Sequence, residues 1–324
     1  RELAPAVVHN VIADANRHGA HFFGIMGGEP LLYKGLSDIF RQHPDCYFLL
    51  FTNGTLIDDA AATAWRKAGN VTPLISIEGL ERESDARRGS RDVLGRTLAG
   101  LEACRRQGLV TGVATSVSRN NIDDLVSDAF LDDLIRRGVL YLWYYIYRPV
   151  GADPAPELAL REEDVARLRR FLVEARRRVP LLIVDAYWDH DGRALCPAVT
   201  GIGHHIGPGG DIEPCPPIQF AAENIGDGTR LAEAFDRSRF LRGFGPAIAP
   251  ATRGCVLLED PALLKAHIAA QGAYDSSGRG TAAAELDAMT CRCSHDMRAN
   301  AIPERHWLYR FAKKNWFFGF GAYG

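Results

Sequence analysis

No stretch of the sequence approaches the roughly 18 consecutive apolar residues that a membrane-spanning helix requires, so a helical span is not expected. An excess of either charge is missing as well. The formal net charge is -2 and the isoelectric point lies near 6.6, which gives no long-range attraction to a polyanion. Sign-mixed segments such as Arg161 to Arg178 read as ordinary solvated helix faces, and nucleic acid is not an expected partner. The opening Arg1-Glu2-Leu3-Ala4-Pro5 lacks the basic-then-apolar order of a signal peptide, and no internal repeat or low-complexity tract stands out. A soluble, cytoplasmic protein is the expectation. Cysteine is sparse and odd in number, seven in all, which without an export signal argues against a disulfide framework and for reduced thiols.

What is present is length and alternation. At 324 residues the chain exceeds the roughly 250 to 300 at which single cores stop growing, so a large α/β domain with an appendage is predicted. Apolar runs at His21 to Met26, Tyr47 to Phe51, Pro73 to Ile77, Leu109 to Val117 and Val139 to Tyr147 read as strands. Between and after them, Leu31 to His43, Asp58 to Gly69, Asp92 to Gly108, Ile122 to Gly138 and Glu162 to Val179 read as helices. Five such βα units imply a parallel sheet, open or curled. From Leu181 the alternation breaks down, with five glycines between Gly201 and Gly210 and three prolines between Pro214 and Pro217. The boundary is placed at residue 185. Leu231 to Leu241 reads as the next long helix and Asp275 to Gly280 as a mobile loop.

In a parallel α/β sheet, residues just past the strand C-termini line the active site. Gly27-Gly28-Glu29-Pro30 follows the first strand. Two glycines let a ligand approach the backbone, Glu29 offers an acceptor for an ammonium, and Pro30 suits a first helical turn. Further along come Thr52-Asn53-Gly54, Ser76-Ile77-Glu78-Gly79, Ser116 to Asn121 and Tyr147-Arg148. Glu78 falls on the same strand face as Ser76. Asn53, Ser76 and Ser116 fit equally well as side chains capping local backbone.

Met26 to Leu32, Phe51 to Gly54, Ile75 to Gly79 and Val113 to Asn121, taken in succession, resemble radical S-adenosylmethionine (radical SAM) enzymes. In that family these segments end the second to fifth strands of a partial (β/α)6 TIM-like barrel. The resemblance implies that Gly27, Gly28 and Glu29 bind the methionine amino group of S-adenosylmethionine. Asn53, Ser76, Glu78 and Ser116 would line the same site, the two serines toward carboxylate or ribose. The family's CxxxCxxC loop, which holds the [4Fe-4S] cluster that binds S-adenosylmethionine, has no counterpart in these residues. It is expected, with the first strand, upstream of Arg1, and the chain alone is expected to be inactive.

Five of the seven cysteines lie between Cys196 and Cys293, whereas Cys46 and Cys104 read as buried apolar residues. Cys196, thirteen residues, Gly210, four residues and Cys215 resemble the opening of the SPASM and twitch extensions of the same family. That resemblance implies an irregular α+β domain over 186–324 with an auxiliary [4Fe-4S] cluster on Cys196, Cys215 and Cys255, completed by Cys291 or Cys293. Four thiolates suit zinc equally well by residue type. His204 and His205, inside the glycine-rich hairpin, read as a cluster ligand, a substrate contact or solvated side chains. Asp185, Asp189, His190 and Asp191 are candidates for a general base. From His306 to Gly324, eight aromatics from Trp307 to Tyr323 interleave with Arg310, Lys313 and Lys314. This tail reads as a terminal helix docked by its aromatic face, with membrane-surface contact or a partner site as alternatives.

The resemblance implies an enzyme that cleaves S-adenosylmethionine to a 5′-deoxyadenosyl radical and abstracts hydrogen from a peptide or small-molecule substrate. Flavodoxin or ferredoxin would be the electron donor. An apolar wall that includes Trp143, Tyr145 and Tyr147 would protect the radical. A non-catalytic metal-binding or scaffold protein that retains the barrel is the other reading.

Overall fold

The computed structural model describes residues 2–79, 93–201, 203–226 and 230–315. They form two compact units, the first from Ala4–Tyr145 with Arg178–Val184 and the second chiefly from Ile146–Arg177 and the residues beyond Asp185. In the first, six strands form one parallel sheet: β1 (Phe22–Ile25), β2 (Tyr47–Thr52), β3 (Val71–Ser76), β4 (Gly112–Val117), β5 (Tyr141–Ile146) and β6 (Leu182–Val184). They lie in sequence order without reversal. Right-handed crossovers then keep all the helices on one face, which curls the sheet toward a partial TIM-like barrel. A doubly wound sheet would need the order to reverse. The strand β6 is an addition to the five βα units read from sequence.

Local chemistry sets the helix boundaries. Asp58 caps the helix Asp59–Ala68 by accepting from the Ala61 amide at 2.7 Å, and Gly69 ends it at φ 76°. Two expected helices are each divided by a serine. Ser127 separates Ile122–Leu125 from Asp128–Arg136 by accepting from the Phe130 amide. Ser238 separates Leu231–Arg237 from Arg239–Ile248 by accepting from the Leu241 amide. A serine that caps a new turn competes with continuation of the old one. Likewise, Leu31 to His43 is a 3-10 turn, Pro30–Leu32, followed by the helix Leu36–Gln42. Asp92, the expected start of the next helix, lies outside the described residues; the helix is described over Val93–Arg106.

On the sheet face shared by alternate strand residues, Leu49, Leu74, Ala114 and Tyr141 pack together, with Phe51, Trp143 and Tyr145 against them. Gly112 has no Cβ because the Tyr141 ring occupies that place. The Tyr141 hydroxyl shares a 3.0 Å hydrogen bond with Thr72. The turn after β2 is held as closely. Gly54 has φ +76°, a Cβ on Gly100 would overlap its carbonyl oxygen, and the Thr97 hydroxyl donates to the Asn53 carbonyl at 2.8 Å.

The second unit contains two short antiparallel pairs, His205–Ile206 with Ile212–Glu213 and Phe220–Ala221 with Tyr274–Asp275. Helices including Glu162–Ala175 and Pro261–Gln271 accompany them. The Asp275 to Gly280 segment, expected to be loose, is tied down. Ser276 donates to Glu213, its amide donates to the Gln219 carbonyl at 3.1 Å, and Arg279 binds both Gln219 and Glu285. The terminal helix spans Trp307–Asn315, whereas Trp316, Phe317, Phe318, Phe320 and Tyr323 of the expected aromatic tail lie outside the described residues. Its anchor is Lys313, whose Nζ donates to Asp185 at 3.0 Å and to the Trp188 carbonyl at 2.5 Å. Of the aromatics in this helix, Trp307 and Phe311 are exposed, whereas Tyr309 lies under the Arg176 guanidinium.

Lys313 closes a buried ionic network with Asp185, Glu304, Arg169 and Arg176. Arg176 donates to Asp185 and, at 2.6 Å, to Glu304. The Arg169 guanidinium lies over the Trp188 ring and the Arg176 guanidinium over the Tyr309 ring. Burial alone would raise the Asp185 carboxyl, but Lys313, Arg176 and Arg169 hold it well below the ordinary carboxylate range.

Two predictions follow from these contacts. Gly100→Ala should destabilise the protein by about 1–3 kcal/mol through overpacking, seen as a lower Tm; an unchanged Tm would mean that the turn after β2 is not closely packed. Asp185→Asn should cost about 3–5 kcal/mol at neutral pH because buried cations lose their partner. It should also flatten the acid limb. Asp185 contributes stability above its unfolded pKa, and this is lost as pH falls below about 4, where the unfolded chain takes up a proton that the folded one refuses. Equally steep acid unfolding in both proteins would contradict that.

Candidate functional site

Glu29 organises the strand ends of the first unit. Its Oε1 accepts from the Thr52 hydroxyl at 2.7 Å and the Leu31 amide at 3.1 Å, while Oε2 accepts from the Asn53 amide at 2.8 Å. The carboxylate therefore fastens the end of β1 to the end of β2 and caps the Pro30–Leu32 turn. A carboxylate offers about four lone-pair positions; among the described residues three are used, two on Oε1 and one on Oε2.

Gly27 and Gly28 precede it on exposed backbone. A Cβ on either would meet nothing within 4 Å, and neither has the positive φ that favours glycine. Nothing among the described residues requires glycine at these positions. That is unlike Gly54 and Gly100, whose missing side chains make room for neighbouring protein atoms.

The expected residues on β3 and β4 are also brought together. Glu78 accepts from the Ser116 amide at 3.0 Å, and Asn121 donates to the carbonyls of Glu78 and Ser116 at 3.1 and 3.0 Å. Ser76 and Ser116 follow Leu74 and Ala114 by two residues, so they continue the shared strand face. Asn53 is used locally: its Oδ1 accepts from the amide and hydroxyl of Thr55. Phe51, Trp143 and Tyr145 form an aromatic group on the same face, with 5.7 Å between the stacked Trp143 and Tyr145 rings. Tyr147 belongs to the other unit, where its hydroxyl accepts from the Ala155 amide.

In the second unit, Cys196, Cys215 and Cys255 lie close enough to act on one another electrostatically. Burial pushes the Cys196 thiol up to about 11, with Cys255 adding to the effect, and burial raises Cys215, with Cys196 and Cys255 adding. Cys196 precedes the single turn Pro197–Thr200 and Cys255 the turn Val256–Glu259. Gly210, between Cys196 and Cys215, has φ +88°, and a Cβ there would press on Asn224 Oδ1 at 2.9 Å, so the hairpin needs glycine. Arg148 stands beside all three cysteines and over the Tyr187 ring. Burial works against its charge, and Tyr187 and the cysteines more than offset this, raising its pKa.

The other cysteines differ. Cys291 and Cys293 are exposed, and the Cys293 thiol points to the Leu160 carbonyl at 3.5 Å. Cys46 and Cys104 are buried, as expected, and burial pushes the Cys104 thiol up to about 12. Among the described residues, no group of three or more His, Cys, Asp or Glu side chains is arranged to hold a single metal ion.

The candidate bases are committed elsewhere. Asp185 is locked into the ionic network, and Asp189 accepts from the amides of Asp191 and Arg193 and from Arg253. His190 lies 3.4 Å from Asp191. His205 Nδ1 pairs with Glu213 at 2.6 Å, and the His204 ring rests on Phe235. Thr52, Asn121 and Arg148 all fall in strand-end segments singled out from the sequence, but none was given a role of its own; the bonds of Thr52 to Glu29 and of Asn121 to the Glu78 and Ser116 carbonyls, and the electrostatic influence of the cysteines on Arg148, are added by the structure.

The radical SAM superfamily profile matches residues 1–130. Fe-coproporphyrin III synthase of Methanosarcina barkeri is 24% identical over 64% of this chain and 50% of its own length. AdoMet-dependent heme synthase of the same organism is 34% identical over 54% and 50%. The chain thus spans about half the length of the curated relatives it matches. Among solved structures, Streptococcus suis SuiB bound to S-adenosylmethionine aligns with a TM-score of 0.63 at 15% identity, over 76% of this chain and 62% of SuiB. SuiB with its precursor peptide SuiA aligns equally broadly, at 0.62. No helix among the described residues is long and apolar enough to cross a membrane. The radical SAM profile thus lies on the segment that carries the strand-end glycines and Glu29, and the fold is similar to that of SuiB.

Proposed function

We propose that this chain is the S-adenosylmethionine-binding barrel and auxiliary-cluster domain of a radical enzyme that abstracts hydrogen from its substrate. The observation that carries this reading is the pair Gly27-Gly28, glycines without an internal reason, set beside the anchored Glu29. In such an enzyme, S-adenosylmethionine on a [4Fe-4S] cluster supplies a 5′-deoxyadenosyl radical when reduced by a donor such as flavodoxin or ferredoxin. The thiolate loop for that cluster would come from outside these residues.

The tasks left to this chain are binding, aim and exclusion. Glu29 keeps one lone-pair position for the methionine ammonium, and its fixed orientation lowers the entropy lost on binding. Ser76 and Ser116 serve the carboxylate or ribose, with Glu78 and Asn121 shaping the backbone around them. Asn53 holds the neighbouring turn. Phe51, Trp143 and Tyr145 give the face an apolar surface that keeps water from a reactive species.

The domain over 186–324 is read as twitch-like, with an auxiliary [4Fe-4S] cluster on Cys196, Cys215 and Cys255. The three thiols influence one another electrostatically, which supports a shared site; four thiolates suit tetrahedral zinc as well as a cluster by residue type. The substrate class favoured is a tetrapyrrole-type small molecule, because the relatives named for coproporphyrin and heme match in sequence, whereas the peptide-bound SuiB is similar in fold alone.

Gly28→Ala should leave the Tm unchanged, since its Cβ meets no protein atom, yet weaken S-adenosylmethionine binding to the full-length, cluster-loaded protein. Glu29→Ala should weaken it by about tenfold to hundredfold, the equivalent of one charge-assisted hydrogen bond at roughly 1.5–3 kcal/mol. Calorimetric titration measures both, and undiminished affinity in the two variants would sink the assignment. For the auxiliary site, this chain reconstituted anaerobically should hold about four irons and four sulfides. Cys196→Ala, Cys215→Ala or Cys255→Ala should each lose most of them, while Cys46→Ala and Cys104→Ala should lose none. Stoichiometric zinc with no iron would instead establish a structural zinc domain.

A further inference from the structure

The terminal helix of the second unit, Trp307–Asn315, has a charged side chain inward and its apolar stripe outward. Lys313 is buried and bound to Asp185 and the Trp188 carbonyl, and the Tyr309 ring centre lies 4.7 Å from the Arg176 guanidinium carbon. Residues four apart share a helix side, so these contacts hold the helix by one side. Trp307 and Phe311, also four apart, are 73% and 56% exposed, and Leu308 beside them is 46% exposed. Among the described residues no other large apolar side chain is as exposed as Trp307. A helix of a globular protein normally turns its apolar stripe to the core. Here the ionic network occupies the inner side, and the stripe serves no contact that holds the helix.

The charge beside this stripe is of one sign. At about 100° per residue, Arg310, Lys314, Trp307, Phe311 and Leu308 follow one another around the outward side, so the cations form one flank of the apolar strip. Arg310 and Lys314 are both exposed. Arg310 lies 3.4 Å from Asp191, whereas Lys314 makes no bond among the described residues. From Arg305 to Gly324 the sequence has four Lys or Arg and no Asp or Glu, although acids outnumber these bases in the whole chain by 40 to 38. Such a face suits an anionic partner with an apolar interior. The same face of a second copy, related by a two-fold axis, would set cations against cations. A nucleic acid would require cations that track its phosphates, not a flank beside an apolar centre. A bilayer offers anionic headgroups above hydrocarbon, the boundary at which Trp and Phe with adjacent Lys and Arg are favoured. No helix among the described residues is long and apolar enough to cross a membrane, so this would be a helix lying in the interface.

We propose that the outward side of the helix Trp307–Asn315 is a docking surface for an anionic lipid bilayer, with Trp307, Leu308 and Phe311 entering the headgroup boundary and Lys314 and Arg310 meeting the negative charge. It uses neither the strand-end residues nor the cysteines, so it stands or falls apart from the cofactor reading. One short helix with few cations attaches weakly and reversibly. The electrostatic share of that attachment is screened by salt.

Vesicle flotation tests this on both this chain and the full-length protein. Both should float with phosphatidylcholine vesicles that contain phosphatidylglycerol, float less with phosphatidylcholine alone, and detach as salt is raised. Trp307→Ser combined with Phe311→Ser should weaken binding by about tenfold or more, the equivalent of one buried aromatic side chain. Lys314→Gln should weaken it by about fivefold. All three side chains are exposed, so the Tm of these variants should match that of the parent. Leu140→Ser, which removes an exposed apolar side chain of the first unit, should bind as the parent does. A parent chain that does not float, binding undiminished in the double variant, or equal binding to the two kinds of vesicle would overturn the proposal. Flotation of this chain but not of the full-length protein would do the same, by showing that another segment of the protein covers the face. A dimer in analytical ultracentrifugation that the double variant abolishes would assign the face to a second copy instead. The parent's dependence on lipid charge and salt requires no substitution, so a variant that fails to fold cannot leave the matter open.

Discussion

The carboxylate of Glu29 is the contact on which the strand-end edge of the first unit depends. It receives one hydroxyl and two amide protons, from Thr52, Leu31 and Asn53, and so fixes two strand ends that would otherwise finish in free loops. The Thr52 hydroxyl in turn accepts from the Gly54 amide at 3.0 Å, and the turn rests on the helix Val93–Arg106 at Gly100. A charge used in this way is a structural member first, and the three bonds fix the orientation in which it would meet the proposed ligand.

A comparable economy governs the cysteine-bearing unit. Its ionic network of Asp185, Glu304, Arg169, Arg176 and Lys313 is buried, where an unpaired charge would be costly and the paired set demands a single arrangement of the helices that supply it. Asp185 also accepts from the amides of Tyr187 and Trp188. These two aromatics are the residues against which His295 is packed. The network thus fixes the wall behind the cysteines, and Arg148, lying over Tyr187, adds positive charge where thiolates would need it.

Much of this was legible in the sequence. The strands of the barrel announced themselves as apolar runs, and Asp58 and Gly69 bracketed their helix because capping and left-handed termination depend on single residues. The strand-end position of Gly27, Gly28 and Glu29 was legible because the apolar run before them marks where β1 stops. The strand β6 was not, since three residues, Leu182–Val184, carry too little periodicity. Helices divided at Ser127 and Ser238 looked continuous because an apolar stripe can persist across a cap.

The most direct test of the account is an anaerobic crystal structure of the full-length protein with S-adenosylmethionine. The methionine moiety should lie along the bare backbone of Gly27 and Gly28, with its amino nitrogen within about 2.7–3.2 Å of Glu29 Oε2. Density for the cofactor away from these glycines, or an amino group bound elsewhere while Glu29 touches only Leu31, Thr52 and Asn53, would contradict it.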